Sequence, residues 1–204
     1  MIYLVSKQVS LFSENYKIIS VKESFDIISK MNNIRGLDTE TSGLNPHHKD
    51  LLTVQIGNKE SQIVIDCTTT DITLYKDILE DKNVTYILAN AKFDIQFFFK
   101  HNIILSNVWD VMLAEQLLHL GYPRGTYHAD LKTLEWKYLG KDMDKTVRGK
   151  INKLGLTEEV IIYAANDVVD LPDLQKQLIK ALSKEDLLNA IKIENKFVLP
   201  LAYM

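Results

Sequence analysis

Apolar and polar positions follow two regimes along this chain, and the change falls near residue 70. Before it come short runs: residues 34–40, 51–56 and 62–65 read as strands, joined tightly enough to be antiparallel. Upstream, 17–21 reads as another short strand, and 23–31 as a helix with Phe25, Ile27 and Ile28 on one face. In residues 1–16 the alternation of Ile2, Leu4, Val9 and Leu11 is broken by polar residues, which predicts a hairpin or an extended N-terminal arm. After residue 70 the pattern becomes helix and strand in turn: helix 71–79, strand 84–88, a phenylalanine-rich helix 92–100 and strand 103–109. Helices 111–120, 131–139, 157–170 and 173–182 follow. A sheet that starts antiparallel and continues through strand-helix-strand crossovers is an α/β fold, mixed in direction and flanked by helices.

Two irregular connections remain, 121–130 and 140–153. The second carries Lys141, Lys145, Arg148, Lys150 and Lys153 with Asp142 and Asp144 among them, and reads as a solvated loop in preference to a phosphate-contacting one. Residues 187–204 show a helix-like apolar pattern (Ile191, Ile193, Phe197, Val198, Leu199, Leu201) that runs into Pro200 and is predicted to stop there. Its apolar face calls for a partner, either the body of this domain or a second domain absent from the chain.

Composition narrows the function. At 204 residues and 46% hydrophobic the chain can bury a substantial core. Its net charge of -3 gives no basic footprint, so any phosphate contact must be local or made through bound metal. Cys67 is the single cysteine, which excludes an intrachain disulfide and a multi-cysteine zinc site and leaves a small apolar side chain. No signal segment and no run of about 18 apolar residues is present, so the expectation is a soluble, cytoplasmic protein with no membrane partner.

Within IRGLDTETSGL, Asp38 and Glu40 are two apart on a predicted strand and point to one face. Two carboxylates there are costly unless a cation lies between them, and oxygen ligands suit a hard divalent ion. Taken alone, the pair also reads as a polar strand end turning into solvent. Asp94, in NAKFD, opens a predicted helix where the helix dipole favours an acid. Tyr163 and Asp167, in YAAND, are four apart on another helix and share a face, as an exposed tyrosine beside an exposed acid also would.

In order, DTETSGL, NAKFD and YAAND resemble the three motifs of the DEDD 3′–5′ exonucleases, in the subclass with a tyrosine four before the last aspartate. The resemblance covers roughly residues 17–182 and is nearest to the proofreading domain of family A DNA polymerases; the ribonuclease D group shares the motifs. It implies a ribonuclease H-like mixed sheet of five strands, the first three antiparallel. It also implies an N-terminal arm (1–16), an exonuclease domain (17–182) and a C-terminal helix (183–204) that begins the junction to a missing polymerase domain.

The chemistry implied is hydrolysis with two divalent cations, Mg²⁺ or Mn²⁺. By motif match Asp38, Glu40 and Asp167 hold the first ion, Asp38 and Asp94 the second, and Tyr163 orients the attacking water. Leu44 wedges against the last bases of a single-stranded DNA 3′ end, with Thr41 and Asn90 beside it. Phe93, Phe97, Phe98 and Phe99 are read as core before stacking platforms, and His47 and His48 as solvated. Asp110 is read as a helix cap, and Asp170 as outside the metal shell. An exoribonuclease of the ribonuclease D type, or a nucleic-acid-binding module without activity, are the alternatives; all four acids and the tyrosine being present argues against the last.

Overall fold

The computed structural model describes residues 1–8, 13–121, 129–142, 151 and 155–204. Its strands are β1 (Ile2–Val5), β2 (Tyr16–Ile18), β3 (Ile34–Thr41), β4 (Leu51–Gly57), β5 (Gln62–Asp66), β6 (Thr85–Leu88) and β7 (Val108–Asp110). They form one sheet in the order β2-β1-β5-β4-β3-β6-β7. As expected, β3, β4 and β5 are antiparallel neighbours, and β6 and β7 continue in parallel from β3.

The sheet has seven strands where five were expected, because the N-terminal segment belongs to it. Residues 2–5 are neither a hairpin nor a free arm: β1 pairs in parallel with β5 on one side and β2 on the other. Ile2-Tyr3-Leu4-Val5 is an unbroken apolar run, which suits an interior strand better than an alternating edge. Leu4 and Val5 are buried.

The helices are α1 (Val21–Lys30), α2 (Lys76–Leu79, after a 3₁₀ turn at Ile72–Tyr75), α3 (Ala91–Lys100), α4 (Val111–Leu118), α5 (Leu131–Leu139), α6 (Glu158–Asp167), α7 (Leu171–Lys184) and α8 (Leu188–Ala202). α1 starts at Val21, where a strand was expected to end, because Ser20 and Glu23 form a reciprocal capping box. The strand expected over 103–109 keeps only its last residues: Asn102 turns the chain with φ 57, and Ile103 and Leu105 are buried as loop. The helix expected over 157–170 ends at Asp167, and Pro172, in the first turn of α7, opens a new one.

α8 runs through Pro200 to Ala202 rather than stopping at the proline. Pro200 stands in the last turn, where its missing N–H removes one hydrogen bond and breaks nothing downstream. Ile191, Val198 and Ala202 are buried on α3, α4 and β7, while Ile193, Phe197 and Leu201 stay exposed. The phenylalanines behave mostly as core: Phe97 and Phe98 are fully buried, Phe93 packs on Phe97, and Phe99 is exposed and lies against Tyr203. Cys67 is half-buried, its thiol pushed up to about 12 by burial and then by Asp66 and Asp71. Among the described residues no helix is long and apolar enough to cross a membrane. Lys145, Arg148, Lys150, Lys153 and Asp144 of the basic connection, and most of 121–130, lie outside the described residues.

The pleat of β3 sorts its residues. Leu37 turns into the main apolar cluster with Val54, Ile56, Phe97 and Phe98, whereas Gly36, Asp38 and Glu40 face α6 and α7. On that face Gly36 pairs with Gly57 across β3 and β4, and Val168, the residue after Asp167, rests on both. A Cβ at Gly36 would overlap the Val168 carbonyl oxygen, and one at Gly57 would lie 3.1 Å from the Val168 side chain. The paired glycines therefore set how closely the α6–α7 junction approaches the sheet. Gly36→Ala is expected to lower the free energy of unfolding by about 2 kcal/mol or more, since backbone must move to admit the methyl group. Urea denaturation measures this, and an unchanged midpoint would contradict it.

Candidate active site

Asp38 and Glu40 sit on the free half of β3. β6 pairs with it only through Ile34, Arg35 and Gly36 and ends at Leu88, while β3 continues to Thr41. Side-chain oxygens of Asp38, Glu40 and Asp167 all lie within 4.8 Å of one another. Asp167 closes α6, so it adds a carboxylate at the negative end of a helix dipole, the less favourable end for an anion. Tyr163, one turn earlier, donates a hydrogen bond to it. Its Oδ1 is buried without a hydrogen-bond partner. An orphaned carboxylate oxygen beside two further carboxylates is what a hard divalent cation satisfies, so this set fits such an ion.

Asp94 is fully buried in the first turn of α3. The gap left by β6 lets it reach β3 from the edge: Thr39 donates to its Oδ1 at 2.6 Å, and its charge repels that of Asp38. The start of α3 is fixed by Asp110, whose carboxylate accepts from the backbone N–H of Asn90 and Ala91 as well as from Met112 and Leu113. The expected cap of α4 thus anchors α3 too. Asn90 adopts the left-handed conformation (φ 68) that asparagine tolerates, and is exposed at the same turn.

The loop after β3 carries Leu44, which is 85% exposed, an unusual position for a large apolar side chain. Thr41 is buried and donates to the Gly43 carbonyl, so its side chain holds this loop in place. His47 and His48 are exposed on it.

Crowding controls the protonation of the cluster. Burial, then the charges of Asp38, Glu40 and Glu135, push Asp167 up to about 9, against the pull of the Tyr163 hydrogen bond. Burial, then Asp38, raises Asp94 well above the usual carboxylate range, although the Thr39 hydroxyl opposes it. Asp110 is raised by burial alone, and its four backbone donors hold it back.

The sequence reading missed Glu135, a buried carboxylate on α5 that adds to the charge around Asp167. A signal was available: Leu131, Leu134, Glu135 and Tyr138 are spaced as one apolar helix face, and an acid inside that stripe needs a reason. Glu115 breaks the apolar face of α4 in the same way. It is fully buried, bound by Lys137 and by the Tyr138 hydroxyl at 2.5 Å, and ties α4 to α5. Gln55 and Thr53, the cross-strand partners of Asp38 and Glu40, are also buried, and join to each other by a hydrogen bond.

Residues 16–183 match the family described as 3′-5′ exonuclease. DNA polymerase I of Aquifex aeolicus is 31% identical over 152 residues, covering 74% of this chain and 24% of that protein, so the chain spans about a quarter of this relative. Among solved structures, Brucella melitensis NrnC bound to pGG is similar with a TM-score of 0.76 at 20% identity, over 99% of this chain and 91% of that one. The same protein with bound Mg²⁺ gives 0.71, also at 20% identity, over 99% and 90% of the two chains. Escherichia coli RNase D, an exoribonuclease involved in structured RNA processing, gives 0.75 at 22% identity, over 89% of this chain and 48% of that one. With the family matched from β2 to the end of α7, around a carboxylate cluster of the kind its motifs imply, this chain belongs to the 3′-5′ exonuclease family.

Proposed function

We propose that this chain removes nucleoside 5′-monophosphates from single-stranded or frayed DNA 3′ ends, as the editing part of a DNA polymerase whose polymerase domain lies in a longer parent chain. The observation that carries the hydrolytic reading is the meeting of Asp38, Glu40 and Asp167 around an unpartnered buried oxygen. Two divalent cations, Mg²⁺ or Mn²⁺, would supply a hydroxide at neutral pH and relieve the charge that grows on the phosphate. Asp38, Glu40 and Asp167 would hold one, and Asp38 with Asp94 the other. Thr39 fixes the Asp94 carboxylate, and Asp110 fixes the helix that carries it. Tyr163 donates to Asp167 and would hold the attacking water by the same hydroxyl, a positioning role that needs no phenolate. Leu44 would press on the terminal bases from a loop that Thr41 holds, with Asn90 against the sugar-phosphate backbone.

The DNA assignment leans on the identity to DNA polymerase I. A second reading keeps the chemistry and exchanges the substrate for RNA, and the fold shared with RNase D and with NrnC bound to pGG favours it. Recognition of a 2′-hydroxyl depends on contacts outside the motifs.

End-labelled DNA and RNA oligomers incubated with the chain and Mg²⁺ separate the readings. Loss of DNA from the 3′ end, reduced by roughly a thousandfold or more in Asp38→Ala, is the expected result; faster loss of RNA selects the second reading, and no loss of either rejects both. Leu44→Ala is expected to slow hydrolysis of frayed duplex ends more than that of single strands, and equal slowing would remove the wedge role.

Stability should depend on pH and metal together. Folded Asp167 keeps its proton up to about pH 9 where its ordinary value is 3.8, so the folded chain binds more protons between these limits and stability falls as pH rises. His101, lowered from 6.5 by burial, contributes the opposite slope, which is complete above about pH 7.5. Thermal unfolding in a chelator between about pH 7.5 and 8.5 is therefore expected to show a falling midpoint. Mg²⁺ or Mn²⁺ should raise the midpoint, and Asp167→Asn should flatten the metal-free slope; no response to either ion would count against the site.

A further inference from the structure

A cleft of about 490 Å³ opens beside Tyr163 and Asp167. Five carboxylates line it, those of Glu135, Asp142, Glu159, Asp167 and Asp170. Lys141 is the one cationic side chain among the described residues lining it. Its ammonium donates to Asp170 Oδ2. Asp170 stands in the α6–α7 junction three residues after Asp167, with its side chain 7% exposed and its Oδ1 buried without a hydrogen-bond partner. The Lys141 side chain is 49% exposed. Asp142, the next residue, pairs with Lys132 at 2.9 Å.

A lysine at the start of a basic connection would ordinarily sweep through solvent. Here a buried carboxylate holds the ammonium at the wall of the cleft, at a fixed offset from Asp167. An ammonium has three donors, and Asp170 Oδ2 takes one of them. A strand entering a cavity with five carboxylates would meet repulsion, which cations held by Asp38, Glu40 and Asp167 would relieve only at the phosphate being cut. The neighbouring phosphate needs a counter-charge of its own, and Lys141 is placed to supply it.

We propose that Lys141, steered by Asp170, binds a strand phosphate adjacent to the reacting one, and so sets substrate affinity without entering the chemistry. This rests on the hydrolytic reading above and holds for a DNA or an RNA strand, since the group contacted is the phosphate. The test compares the wild-type chain, Lys141→Met and Lys141→Arg on whichever labelled oligomer the wild type degrades with Mg²⁺, across a series of KCl concentrations. Lys141→Met is expected to raise KM by roughly tenfold with kcat held within about twofold. It should also reduce the slope of log(1/KM) against log salt by about 0.7, the loss of one phosphate contact to a single strand. Lys141→Arg should restore both, which a packing defect would not allow. An unchanged KM and slope in Lys141→Met, beside an active wild type, overturns this assignment alone; so does a fall in kcat at constant KM. A wild type inert on both oligomers overturns the hydrolytic reading and this one with it.

Discussion

Carboxylates are hard to crowd, and this fold crowds four of them against the buried edge of one strand. Asp38 and Glu40 have water on one side, but Asp94 and Asp167 are enclosed and cannot both shed their protons cheaply. The surrounding structure concentrates the strain: the helix end at Asp167 is the wrong pole for an anion, and Glu135 adds charge from behind. No packing argument explains such an arrangement, because apolar residues in those places would be more stable. A site for a hard cation would explain it.

Much of this was legible in the letters, for identifiable reasons. β3 and β4 show apolar and polar residues in near-alternation, and β5, buried on both faces, is legible as a short apolar run between polar turns. The three motifs were readable because each falls at the end of an element, where the local pattern fixes which way the side chain points. β1 was misread because an interior strand buried on both faces shows no alternation. The helix break at Val168 was missed for another reason: nothing in YAANDVVDLP announces that Gly36 and Gly57, more than 100 residues earlier, offer the flat ground on which the junction rests. Close approach is a property of two distant segments, and a single window of sequence contains only one of them.

Glu135 and Glu115 show where a pattern argument stops too early. Each occupies an apolar stripe, and each was passed over as an ordinary helix residue, yet one joins α4 to α5 and the other presses on Asp167. A polar residue on a buried face has to be satisfied by a partner or by a function. Here the two occur on adjacent helices and serve one end: the Glu115 network holds α5 against α4, and α5 delivers Glu135 to the site.

Asp110 has a similar reach. Its carboxylate collects four backbone donors from two helices, and its own N–H donates to the Asn195 side chain on α8. The last helix of the chain is thereby coupled through one aspartate to the turn that aims Asp94. Anything that tugs on α8 has a short mechanical route to Asp94, the most deeply buried carboxylate beside β3.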